Sequence, residues 1–167
     1  MQARTGPPTQ EAAKQLSAEA SKAIRATEII LSRAKLDALR DRASEKDMTE
    51  LLQQAEQIGK ECANYIGRTQ MMNIVGQLRG LGNSPTMAQI SLFRAYLAYQ
   101  VAKERKLETL QQALKPWFDQ ITRQWERVRG APEQQREEWT RRAFSSFVYF
   151  VDSIVAYYTY HAKGGAE

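Results

Sequence analysis

With 167 residues, 43% of them hydrophobic and 26% charged, the chain is long enough for one domain with a real core and too apolar to be disordered. The 24 Lys and Arg against 19 Asp and Glu leave a net charge of +5 and a pI near 9.4, which points to an anionic partner. A single cysteine excludes an internal disulfide and any multi-cysteine zinc site, and a single histidine excludes two-histidine metal spacings.

The opening MQARTGPPTQ holds no apolar run of the kind a secretory leader needs, so the expected compartment is the cytoplasm. Residues 1–9, with Gly6, Pro7 and Pro8, read as a flexible lead, and Thr9 is a candidate N-cap. A long helix is expected next, striped by Leu16, Ala20, Ala23, Thr27, Ile30, Ala34 and Ala38. That stripe is rich in alanine, so it packs closely and buries little area. Ser44 or Asp47 opens a second helix, lined by Met48, Leu51, Leu52, Ala55, Ile58, Cys62 and Ile66 until Gly67 breaks or bends it. Cys62 on that apolar side reads as a buried, inert thiol.

Thr69 opens a short helix through Met71, Ile74, Val75 and Leu78. GLGNSP then punctuates the chain: Gly80, Gly82 and Asn83 tolerate left-handed backbone, Ser84 caps, and Pro85 suits a first helical turn. The following helix carries Ile90, Phe93, Leu97 and Val101 on one face and Leu92, Tyr96 and Tyr99 on another, which predicts neighbours on two sides. Leu107, Leu110, Leu114, Trp117, Ile121, Trp125 and Val128 form the next stripe, in phase across Pro116, where a kink is expected rather than a break. RGAP closes it, and Pro132 or Glu133 begins the last helix.

That helix contains AFSSFVYFVDSIVAYYTYH, residues 143–161. The stretch is barely long enough to span a bilayer, and Asp152 at its middle costs about 2.5–3.5 kcal/mol to insert, so no membrane partner is expected. Ala143, Phe147, Phe150, Val151, Ile154 and Tyr158 instead point one way, widened by Phe144, Val148, Val155 and Tyr157, and predict the central core helix. Tyr149 and Tyr160 fall near the opposite edge. With no alternating β-branched run and no repeat, the predicted class is all-α: a bundle of five or six helices over residues 10–163, with 164–167 as a tail.

Catalytic constellations are missing. His161 lies six residues from the end, no glycine-rich phosphate loop follows a strand, and Glu137 and Glu138 read as exposed helix charges that Arg141 and Arg142 can pair with one turn on. The expectation is a binding or scaffolding protein, not an enzyme, without cofactor or metal. One charge feature stands out: residues 62–103 contain no Asp or Glu where about five would be average, leaving Arg68, Arg79, Arg94 and Lys103 unopposed within the window. Such a window is a chance or buried segment, or a surface kept free of negative charge for a polyanion.

Three segments, YIGRTQMMNIVGQLRGL, LFRAYLAYQVAKER and FVYFVDSIVAYYTYH, together resemble the small subunit of type III-A CRISPR effector assemblies, the Csm complexes. The residues that carry the resemblance are Arg68 to Met72, then Leu97, Ala98, Tyr99, Ala102 and Lys103, then Phe147, Phe150 and Asp152 to Tyr157. It covers residues 47–161 and leaves the N-terminal helix outside; Met72 stands where the family's arginine is expected, with Arg68 one turn earlier as its substitute. The resemblance implies a non-catalytic subunit. Several copies would stack as an inner filament along the duplex of guide RNA and target RNA, beside the backbone subunits and the large subunit. It also implies contact through phosphates and shape rather than base reading. Arg68, Arg79, Arg94 and Lys103 are the expected RNA-facing residues, followed by Arg105 and Lys106, held in a row by rigid helices. Gln70 is expected to serve as a helix-cap partner rather than a ribose contact. The alternatives are a helical protein–protein adaptor that docks through its N-terminal helix and edge tyrosines, and the small subunit of a related CRISPR effector type.

Overall fold

A computed structural model describes residues 16–166, with side chains through residue 162. Within that range the chain forms six α-helices: α1 (Ala18–Arg33), α2 (Glu45–Ala63), α3 (Arg68–Arg79), α4 (Met87–Lys103), α5 (Glu108–Val128) and α6 (Glu133–Ala166). Short 3-10 turns at Leu36–Ala38, Arg42–Ser44 and Arg105–Leu107 join them, and no strand occurs among the described residues. The all-α bundle is therefore the fold.

The ring-rich helix α6 is the axis of the core. Ala143, Phe147, Phe150, Val151, Ile154 and Tyr158 are all buried, as their spacing predicts. Phe147 and Phe150 stack obliquely on Trp117 of α5, with ring centroids 5.7 and 5.3 Å away, and Phe118 joins Phe147 to Phe93 of α4. Each such side chain withdrawn from water contributes about 1.5–3 kcal/mol, and tilted ring pairs add more. Helix α5 runs unbroken through the buried Pro116.

The most extensive helix pairing is α2 against α6, and Gly59 makes it possible. A Cβ built there would lie 2.6 Å from the Ile154 carbonyl oxygen and 2.9 Å from both the Tyr157 Cβ and the Tyr158 nitrogen. The Tyr158 hydroxyl then donates to the Ile66 carbonyl at 2.7 Å, pinning the α2–α3 corner onto the same helix.

Four sequence expectations need correction. The first helix does not reach Ala38: it ends at Arg33, Ala34 is extended (φ −92°, ψ 152°), and Leu36 and Leu39 are fully buried out of helical phase. The backbone groups this exposes are met by side chains. Buried Gln124 donates from Nε2 to the Ala34 carbonyl (2.8 Å) and accepts the Leu36 N–H (3.0 Å), and Ser146 donates to the Leu36 carbonyl (3.2 Å). Two leucines seated in the core outweigh the lost helical turn. At the other end Thr9 lies outside the described residues; Ser17 caps α1, its Oγ accepting from the Ala20 N–H at 3.0 Å, while Glu61 of α2 accepts the Ser17 N–H at 3.1 Å.

The second correction is at Gly67, which does not end α2 but caps α3, which begins at Arg68 rather than Thr69. The third is in GLGNSP. Gly82 alone takes positive φ (77°), and the cap is Thr86, not Ser84: Thr86 accepts from the Gln89 N–H at 3.2 Å and Gln89 accepts from the Thr86 N–H at 2.8 Å. The fourth is the second face of α4: the helix packs against both α3 and α5 and Tyr96 is partly buried, but the rest of that face is bare. Ile90, Phe93, Leu97 and Val101 are buried, but Leu92 is 70% and Tyr99 60% exposed.

Candidate nucleic-acid interface

Arg68 opens α3, whose start is fixed by Gln70: its Oε1 accepts the Gly67 N–H at 3.3 Å, so Gln70 acts as the cap partner. Arg68 is exposed and has no carboxylate partner among the described residues. Arg79 ends the same helix. Eleven residues of α-helix advance about 16 Å and return to nearly the same side, so the two arginines share one flank of α3.

The window is not unopposed in space, contrary to its reading as a stretch of sequence. Arg79 is paired at 2.8 Å with Asp152 of α6, and Arg94 of α4 at 2.9 Å with Asp119 of α5. Asp119 also receives Lys115 at 2.7 Å, and the Arg94 guanidinium lies 5.4 Å from the centre of the Phe118 ring. Partial burial works against the Asp119 charge, but hydrogen bonds from Lys115 and Arg94 outweigh it and hold the carboxyl below the usual carboxylate range. All of these ion pairs remain open to solvent. Lys103, at the end of α4, sits 5.3 Å over the Tyr99 ring, and Lys106 has no carboxylate partner among the described residues. Arg105 reaches Glu108 at 3.6 Å. Arg94 and Lys103 are nine residues apart, so they leave α4 about half a turn from each other. Lys103, Arg105 and Lys106 gather at the α4–α5 corner, Arg68 and Arg79 lie along α3, and Arg94 faces α5.

On the outer face of α4, Ala88, Leu92, Ala95, Tyr99 and Ala102 form an exposed stripe at alternating steps of four and three. No acid interrupts it. One residue that sequence reasoning missed, Arg40, lies elsewhere. The Arg40 guanidinium sits 4.5 Å over the Tyr149 ring and donates to Ser145 at 2.9 Å, a partnership across more than a hundred residues that no local pattern signals. Arg141 and Arg142 both grip Glu138 at 2.7 Å, as their spacing anticipates, and pull its carboxyl down to about 2. Burial, aided by Glu61, pushes the Cys62 thiol up to about 12, too high for a nucleophile at neutral pH. Among the described residues no group of His, Cys, Asp and Glu is placed to hold a metal, and no helix is long and apolar enough to cross a membrane.

These features describe an all-α bundle with exposed cations on acid-free helices and an apolar stripe on an outer face. Residues 45–164, well over half the chain, match the family model described as Csm2 Type III-A, and the chain belongs to that family, the small subunit of the type III-A Csm complex of CRISPR systems. The match begins at the first residue of α2 and leaves α1 outside. No curated protein and no solved structure matches the chain significantly.

Proposed function

We propose that this chain is a non-catalytic subunit that follows the duplex of guide RNA and target RNA by its phosphates, in several stacked copies within the Csm complex. The observation that carries this reading is the absence of any carboxylate on α3 and α4, while Arg68, Arg79 and Lys103 stay exposed and Arg94 half-buried. The carboxylates that do reach Arg79 and Arg94 come from α6 and α5 in surface pairs with both partners roughly 40–60% exposed. Such pairs contribute about 0–1 kcal/mol, so a phosphate can take the carboxylate's place at little cost. Cations spread over α3 and the α4–α5 corner suit recognition of backbone and shape, because they carry no base-reading geometry. The apolar stripe of α4 supports contact with other protein chains, and within this reading it meets neighbouring subunits.

The test is RNA duplex binding by the purified chain as a function of salt. If each copy neutralises about two to four phosphates, affinity should fall about 10- to 150-fold between 50 and 200 mM salt. Arg68→Glu with Lys103→Glu, the α3 and α4 bases that have no carboxylate partner among the described residues, should lower low-salt affinity more than tenfold and flatten the salt slope by about two. A double variant that melts like the parent and binds as tightly refutes the proposal in favour of a protein adaptor.

A further inference from the structure

Beside the α3–α4 loop, where it approaches α6, lies a groove of about 520 Å³, within the range of small-ligand sites. Arg40, Arg79 and Arg141 line it, with Asp152 the only carboxylate in the lining among the described residues; Glu138, just outside the lining, pairs with Arg141, so the positive excess at the groove is about one charge. The Tyr149 ring stands in it, 40% exposed, with Arg40 over it, and Leu78 and Val148 supply apolar wall. The arginines are held without being used up. Arg79 gives one N–H to Asp152, and Arg141 gives Nε and Nη2 to Glu138, which leaves further donors of each guanidinium free.

Fixed guanidinium forks ask for an anion, and a part-exposed aromatic ring, with Arg40 on one face and an apolar wall beside it, asks for something flat on the surface it leaves open. A nucleotide offers both, whereas an Asp or Glu side chain would engage the arginines and leave ring and wall uncovered. We propose that this groove holds one unpaired nucleotide of an RNA strand, its base against Tyr149 and its phosphate oxygens shared by Arg79 and Arg141. The proposal rests on the RNA-binding reading above and goes beyond it, because a base inside a paired A-form helix is stacked and cannot reach the ring.

The experiment measures binding of the full chain to three labelled probes: a short oligouridylate, an abasic ribose-phosphate strand of the same length, and a blunt RNA duplex. Tyr149→Leu should weaken oligouridylate about fivefold or more and leave the abasic strand and the duplex unchanged. Tyr149→Phe should keep the parent affinity for all three, and Arg141→Gln should weaken both single strands. Equal parent affinity for oligouridylate and abasic strand overturns the proposal, as does a Tyr149→Leu loss shared by all three probes. Competition by polyglutamate with the same dependence on Tyr149 overturns it in favour of a protein dock. Absence of duplex binding alone overturns the duplex reading and leaves the groove standing, provided the base-dependent difference survives; binding to none of the probes overturns both.

Discussion

Replacing Gly59 by alanine sets two effects against each other. Alanine improves helix propensity by about 1 kcal/mol over glycine inside a helix such as α2. The new methyl, however, would stand 2.6 Å from the Ile154 carbonyl oxygen and 2.9 Å from the Tyr158 nitrogen, backbone atoms that cannot rotate away. Reaching an ordinary 3.4 Å contact requires α2 and α6 to part by close to an ångström along the pairing that organises the core. Overpacking of this kind costs about 1–3 kcal/mol, and backbone on the far side places it in the upper half of that range. The net expectation is a loss of about 1–2 kcal/mol, or a melting temperature lower by about 2–8 °C in thermal unfolding followed by circular dichroism. Gly76, in α3, provides the control: nothing lies within 4 Å of its added Cβ, so the same substitution should raise stability by about 0.5–1 kcal/mol. A Gly59→Ala protein that melts at or above the parent would refute the close-approach argument, since propensity alone would then have decided the outcome.

Gln124→Leu should lower the urea midpoint with unchanged slope. It removes both hydrogen bonds to the α1–α2 connector and leaves a buried N–H and a buried carbonyl unmet, for about 2–5 kcal/mol. Asp119 predicts an acid-side pH dependence. Its folded pKa is depressed, so the stabilisation is present above the unfolded value of about 3.9 and is lost as pH falls below it. The melting-temperature gap between the parent and Asp119→Asn should therefore be steady from about pH 5 to 8 and close below about pH 4. With the pair this exposed, the gap should stay under about 1 kcal/mol.

What could be read before the fold was seen follows the range of the interaction. The stripe of α6 repeats over many turns and belongs to one element, so Phe147, Phe150 and Ile154 announce their burial by spacing alone. The connector was misread because Ala34 and Ala38 extend the α1 periodicity by chance, whereas the decision rests with Gln124 and Ser146, about ninety or more residues downstream. Charge behaved likewise. The lack of acids in residues 62–103 is real, but Asp119 and Asp152 arrive from α5 and α6, and only the packed helices show that Arg79 and Arg94 meet them. The second face of α4 was correctly seen as apolar; sequence periodicity cannot tell a face covered by its own chain from one left bare. The Arg40–Tyr149 pairing left no local trace, since each residue taken alone is an ordinary surface side chain.

Helix α1 lies ahead of the family match, yet it is built into the bundle rather than hung on it: Ala20, Ala23, Ile30 and Leu31 are buried, and the connector sinks Leu36 and Leu39 beside them. Removing everything before Glu45 would strip a wall from the molecule and wet a strip of aliphatic interior along α2 and α5. A chain cut at Glu45 would stay dry along that strip only with bulkier side chains in the opening or another molecule laid across it.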